Sequence, residues 1–174
     1  GSGTGIQLLM GQGADPEFRA PEMGSPLLFA ITLNRPAILA LLLDGKPVAR
    51  LAEKTKQQLL FEAARRNSPG SLTLLLQQGV PIDVRDDAGY TLMLRSVEME
   101  ELDLTIWLLD HGASAKVVTA NGLTATYSID FEMRQLTPLD GSKEHLLRKI
   151  MQMLIERGGR FPPMSPEQVR ASQR

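Results

Sequence analysis

A 33-residue period constrains this chain more than any other feature. Gly13, Lys46, Gly79 and Gly112 follow one another at 33-residue steps. Each closes an apolar segment: Leu8-Leu9-Met10-Gly11-Gln12, Leu41-Leu42-Leu43-Asp44-Gly45, Leu74-Leu75-Leu76-Gln77-Gln78 and Trp107-Leu108-Leu109-Asp110-His111. Ala14, Val80 and Ala113 follow three of the four. Gly89-Tyr90-Thr91 and Gly122-Leu123-Thr124 keep the same 33-residue step, as do Asn34 and Asn67. A fixed period of this size marks a repeat architecture, in which one unit cannot bury its apolar face alone and stacking makes the core continuous.

Within the period the residues predict a buried helix and turns. Ile38, Leu39, Leu42 and Leu43, and again Leu72, Leu75 and Leu76, recur at helical spacing on one side, as a helix buried against neighbours requires. Asn34 and Asn67 recur one period apart, and Asn tolerates the left-handed conformation of a helix-ending turn better than most residues. Asp86-Asp87-Ala88-Gly89 is turn chemistry suited to a hairpin between units, with the glycine free to take positive φ.

These residues resemble the ankyrin repeat, whose signature runs G-x-T-P-L-H-x-A, then a glycine, then L-L-x-x-G-A. The resemblance covers about residues 6–161. The best single copies are Ser25-Pro26-Leu27 with Ala30, and Gly112-Ala113 after Leu108-Leu109. It implies an all-α solenoid of stacked helix-turn-helix units with β-hairpin-like loops. Units are expected at about 6–19, 20–52, 53–85, 86–118 and 119–161, a single array whose first unit is partial. Residues 1–5 (Gly1-Ser2-Gly3-Thr4-Gly5) read as a cloning scar, and residues 162–174 as a C-terminal tail in which Ser165-Pro166-Glu167-Gln168 opens a short helix.

Departures carry information too. The signature His is replaced by Leu28, Phe61, Leu94 and Tyr127. Glu100 stands where Asn34 and Asn67 predict a left-handed residue, at a cost of about 1 kcal/mol if the turn is kept, so a rebuilt turn is expected there. Gly112 to Gly158 is 46 residues, leaving an insertion of 13. If Gly122-Leu123-Thr124 opens the inner helix, the extra residues form a loop near Met133 to Gly141, with Ser142 capping a helix from Lys143 to Arg157. If Thr137-Pro138-Leu139 is the start, the insertion extends the hairpin instead. The first register is preferred, since Gly141 and Ser142 are poor helix formers and Ser142 is a good N-cap.

Chemistry is sparse. With no cysteine, thiol catalysis, zinc ribbons, iron–sulfur clusters and disulfides are excluded together. The two histidines are far apart in the pattern: His111 ends a helix, where an imidazole meets exposed carbonyls, and His145 lies in a solvated first turn. Neither has a second ligand at helical spacing. The run Glu98-Met99-Glu100-Glu101-Leu102-Asp103 lacks the alternating oxygen ligands and central glycine of a calcium loop and reads as a solvated helix junction or an acidic partner-binding patch. No nucleophile elbow, phosphate loop or metalloprotease helix occurs. Arg65-Arg66 suit a helix C-terminus, Trp107 is expected in the core, and the methionines fill gaps between helices.

The resemblance implies a rigid protein-binding scaffold without catalysis or cofactor. Short arrays of degenerate repeats look like bacterial ankyrin proteins, some of which are inhibitors or immunity partners covering the active site of a toxin or hydrolase. The expected partner is therefore another protein, an enzyme or toxin among them. A structural array segment of a larger protein is the alternative, and an unrecognised hydrolase a remote one. A net charge of -1 argues against nucleic acid, no apolar run is long enough to insert in a membrane, and the free chain is expected to be monomeric. The expected compartment is bacterial, periplasm ahead of cytoplasm, although the absence of cysteine suits either. In the family's geometry, hairpin tips and inner-helix ends form a concave groove. The 33-residue register places Lys54, Gln57, Arg65, Arg66, Asp87, Tyr90, Glu98, Met99, Asn121 and Leu123 there.

Overall fold

Asn34, Asn67 and Glu100 have φ of 50°, 47° and 57°, and each turns the chain from one helix into the next. At the first of these turns the amides of Asn34 and Arg35 donate to the carbonyls of Ile31 and Ala30, both at 2.8 Å, which satisfies the last carbonyls of the helix before it. Glu100 thus keeps the left-handed turn that the sequence led us to expect rebuilt. Its amide donates to Val97 O, and the Glu101 amide to Ser96 O.

The computed structural model describes residues 2–19, 24–137 and 141–173. Among them are ten α-helices: α1 Ser2–Gly11, α2 Pro26–Thr32, α3 Pro36–Gly45, α4 Glu53–Arg65, α5 Pro69–Gln77, α6 Leu92–Glu98, α7 Leu102–Asp110, α8 Ala125–Gln135, α9 Gly141–Glu156 and α10 Pro166–Ser172. The fold is all-α. Ser25, Thr91 and Thr124 cap α2, α6 and α8 by accepting the amides of Leu28, Leu94 and Tyr127, and proline opens α3 and α5, where its missing N–H is harmless. Ser2 to Gly5, expected as a scar, lie within α1.

The chain divides into two compact units, residues 1–84 and 85–174. In the first, Leu27, Ile31, Leu39, Leu43, Leu59, Leu60 and Leu75 are fully buried. Between α3 and α4 there is no hairpin. Lys46, in register with the glycines, has φ of -136°, and a 3-10 turn follows at Val48–Arg50. Ala52, Glu53, Lys56 and Gln58 stand where the second unit has Arg85, Asp86, Gly89 and Thr91. Without the Asp, Gly and capping Thr, this segment joins α4, which has 13 residues against 7 in α2 and α6.

In the second unit, Met93, Leu94, Leu108, Leu109, Ile129, Leu147, Ile150 and Leu154 are buried. Two hairpins close through antiparallel bridges, Arg85 with Thr91 and Val118 with Thr124, with Gly89 and Gly122 at φ of 82° and 81°. The 13-residue insertion lies mostly in helix: α8 has 11 residues where α6 has 7, and α9 has 16 where α7 has 9. The loop expected from Met133 is therefore helical through Gln135, and α9 starts at Gly141, ahead of the Ser142 cap the sequence suggested. Pro138 and Leu139, on which the alternative register depends, lie outside the described residues. Trp107, expected in the core, is half-buried, its ring stacked on His111 at 3.7 Å, and His111 Nδ1 lies 2.7 Å from the Trp107 carbonyl. The terminal helix α10 starts with a capping box between Ser165 and Gln168 and packs over the second hairpin. A Cβ on Gly122 would lie 2.3 Å from the Pro166 carbonyl oxygen.

Candidate functional site: the inner-helix ends and hairpins

Asp86 organises the first hairpin because its carboxylate reaches in two directions. Oδ1 accepts the amides of Ala88 and Tyr90, both at 2.9 Å, and Oδ2 accepts Arg95 Nε and Nη2, both at 2.7 Å. Burial works against its charge, but the Tyr90 amide and the Arg95 guanidinium outweigh that and hold the carboxyl below its usual range. The Arg95 guanidinium lies 3.9 Å above the Tyr90 ring, a cation–π contact, and reaches Glu98 at 3.3 Å. Burial raises the Tyr90 pKa, and so do the charge of Glu98 and the hydrogen bond that the phenol donates to it.

Next to this cluster, α6 and α8 form a groove of about 440 Å³ lined by Val97, Glu98, Leu123, Tyr127, Ser128, Phe131 and Glu132. Phe131 is 50% exposed, and Met99, at the end of α6, 66%. An exposed aromatic ring on the wall of a groove with polar groups at its rim is the kind of apolar surface that marks an interaction site. Each of the two acidic residues has a cation nearby: Arg95 beside Glu98, and beside Glu132 Lys143, whose Nζ lies 3.2 Å from Glu132 and 2.5 Å from Glu100.

The residues expected at the site divide between the units. In the second, Arg95 lies against both Tyr90 and Glu98, and Glu98 and Leu123 line the groove. Met99 follows at the helix end, and Asp87 is exposed in the hairpin turn. Asn121 is exposed at the tip of the second hairpin, with its carbonyl accepting the Arg170 guanidinium of α10. In the first unit, Arg65 and Arg66 both bind Glu62, at 2.6 and 2.9 Å. Burial opposes the Glu62 charge, but these two guanidinium groups hold its pKa below the ordinary value. Lys54 and Gln57 sit in the first turns of α4 rather than at a hairpin tip.

Sequence reasoning missed Arg95, Phe131 and Glu132. The period held the signal for two of them: adding 33 to Glu98 and Met99 gives Phe131 and Glu132, the same helix-end positions one unit on. The expected loop near Met133 hid them. Among the described residues, no three His, Asp or Glu side chains gather to hold a metal ion, and no helix is long and apolar enough to cross a membrane.

Paired helices, left-handed turns and hairpins at a 33-residue step define the ankyrin-repeat solenoid, and the chain has this fold. It is similar to the crystal structure of the ankyrin repeat domain of Bcl-3, described as a unique member of the IkappaB protein family. The TM-score is 0.70 at 22% identity, over 96% of this chain and 72% of that one. No family model matches the sequence, and no curated protein matches it.

Proposed function

We propose that the chain is a protein-binding scaffold of the inhibitor or immunity type, which engages another protein, an enzyme or toxin, through its inner-helix ends and hairpins and carries out no catalysis of its own. The observation that carries this reading is the groove between α6 and α8, where Phe131 stays half-exposed beside Glu98 and Leu123. Exposed apolar anchors rimmed by polar groups are the composition of a protein interface core. Within the second unit the acidic Glu98 and Glu132 line this groove, which suits a protein surface better than a nucleic acid, whose binding site would be dominated by positive charge. The inhibitory element rests on the resemblance to short bacterial ankyrin proteins.

The test is affinity capture from the source cell followed by calorimetry with the retained protein. Met99→Ser and Arg65→Ala should each weaken binding by roughly tenfold or more, since few residues carry most of an interface's affinity. Gln77→Ala, on the exposed face of α5, should change little, and the reverse ranking would move the interface to the outer helices. A captured enzyme or toxin whose activity is unchanged by the complex would remove the inhibitory element.

One observation favours the array-segment reading. Leu9, Leu42, Leu75 and Leu108 occupy one register position, and Leu42, Leu75 and Leu108 are buried while Leu9 is 57% exposed. Leu9 lines an apolar groove of about 320 Å³ with Phe29 of α2 and Leu33, which follows that helix. A core side chain without its cover is what the end of a longer stack presents.

A further inference from the structure

We propose that the groove between α6 and α8 takes a cationic segment of a protein partner, anchored by one large apolar side chain and flanked by Lys or Arg. This rests on the protein-binding reading above and adds the chemistry of the partner to it. The apolar anchor seats against Val97, Leu123, Tyr127 and Phe131, and the flanking cations meet Glu98 on one wall and Glu132 on the other.

The charge follows from how the ion pairs are shared. Arg95 is the cation beside Glu98, at 3.3 Å, but its shorter contact of 2.7 Å belongs to Asp86. Lys143 is the cation beside Glu132, at 3.2 Å, but its shorter contact of 2.5 Å belongs to Glu100. Four carboxylates thus share two cations, and the two that face the groove hold the longer ends of each arrangement. In these two clusters carboxylates outnumber cations by four to two, which leaves the groove's rim short of positive charge. A segment bringing Lys or Arg gains attraction and speed of encounter there, whereas an acidic one meets like charge. The half-exposed Phe131 ring adds a face for the aliphatic stem or the guanidinium plane of such a residue.

The experiment selects a phage-displayed random dodecapeptide library on the full chain. Enriched peptides are synthesised, and their binding is measured by fluorescence anisotropy against the parent, Phe131→Ser, Glu132→Gln, Met99→Ser and Gln77→Ala, each with its melting curve. The expected result is enrichment of Leu, Phe or Trp flanked by Lys or Arg. Phe131→Ser should then weaken binding by roughly tenfold or more, Glu132→Gln by roughly threefold or more, with a smaller salt dependence, and Gln77→Ala should have no effect. Glu132 is a surface residue, so its variant keeps the test valid if Phe131→Ser melts early. Acidic or uncharged peptides that still lose binding on Phe131→Ser would overturn the cationic assignment and leave the interface where it is. Peptides indifferent to Phe131, Glu132 and Met99 but sensitive to Gln77 would overturn the interface as well, and failure to enrich any peptide counts against both.

Discussion

Replacing Asp86 tests whether one carboxylate holds the first hairpin on its helix. Four hydrogen bonds end on it, two from backbone amides and two from Arg95, and its side chain is 15% exposed. A hydrogen bond to a charged group contributes about 1.5–3 kcal/mol when its loss leaves the partner dry. The four losses in Asp86→Ala do not add at that value. The Ala88 amide is exposed and rehydrates, and Arg95 is 33% exposed, whereas the Tyr90 amide is partly buried. The expected destabilisation is about 2–3 kcal/mol for Asp86→Ala, and about 1 kcal/mol for Asp86→Asn, which keeps an acceptor for the amides but loses the ion pair. Because the folded pKa of Asp86 lies below the ordinary value, its ionic contribution is complete above the unfolded pKa of about 4 and is lost as pH falls through the folded one. Urea unfolding followed by circular dichroism across pH should therefore show a gap between parent and Asp86→Asn that is full at neutral pH and closes below about pH 4. A gap that stays constant with pH, or Asp86→Ala within about 0.5 kcal/mol of the parent, would refute the role given to this carboxylate.

Leu75→Ala, at a fully buried position, should cost about 2–5 kcal/mol in the same urea experiment, and an unchanged midpoint would show that the repeat register is wrong. Gly89→Ala and Gly122→Ala separate backbone strain from packing, since φ is 82° and 81° at the two sites. Nothing lies within 4 Å of a Cβ at Gly89, whereas at Gly122 the Pro166 carbonyl is 2.3 Å away. Both should lose about 1 kcal/mol to the left-handed backbone, and only Gly122→Ala should also release α10, read as faster amide hydrogen exchange at Val169.

How much of this was legible in the sequence depended on whether packing dictated the residue. Leu42, Leu75 and Leu108 are identical because each fills the same hole between helices, so the period could be read from them alone. Asn34 and Asn67 announced the left-handed turns, and Glu100, which gives no such sign, adopts the same conformation because the helices on either side fix it. The register misplaced Lys54 and Gln57 because a step of 33 carries positions but not turn chemistry. With Glu53, Lys56 and Gln58 in place of Asp86, Gly89 and Thr91, the chain takes extra helix instead of a hairpin.

The same distinction separates scaffold from surface at the inner-helix ends. One register position holds Thr32, Arg65, Glu98 and Phe131, and the next holds Leu33, Arg66, Met99 and Glu132. No side-chain property is shared across either set, while a few residues away in each helix Ala30, Ala63, Ser96 and Ile129 are all buried. Packing therefore leaves the helix ends unconstrained. Within the second unit their chemistry is nonetheless organised: Glu98 and Glu132 line the same groove with Val97, Leu123 and Phe131, and each shares its cation with a second carboxylate. Stability alone would not favour this arrangement, because leaving Phe131 half-exposed gives up about half of the transfer energy of an aromatic side chain, and surface ion pairs contribute about 1 kcal/mol or less. What the arrangement provides is a surface whose shape and sign discriminate among the segments that could occupy it.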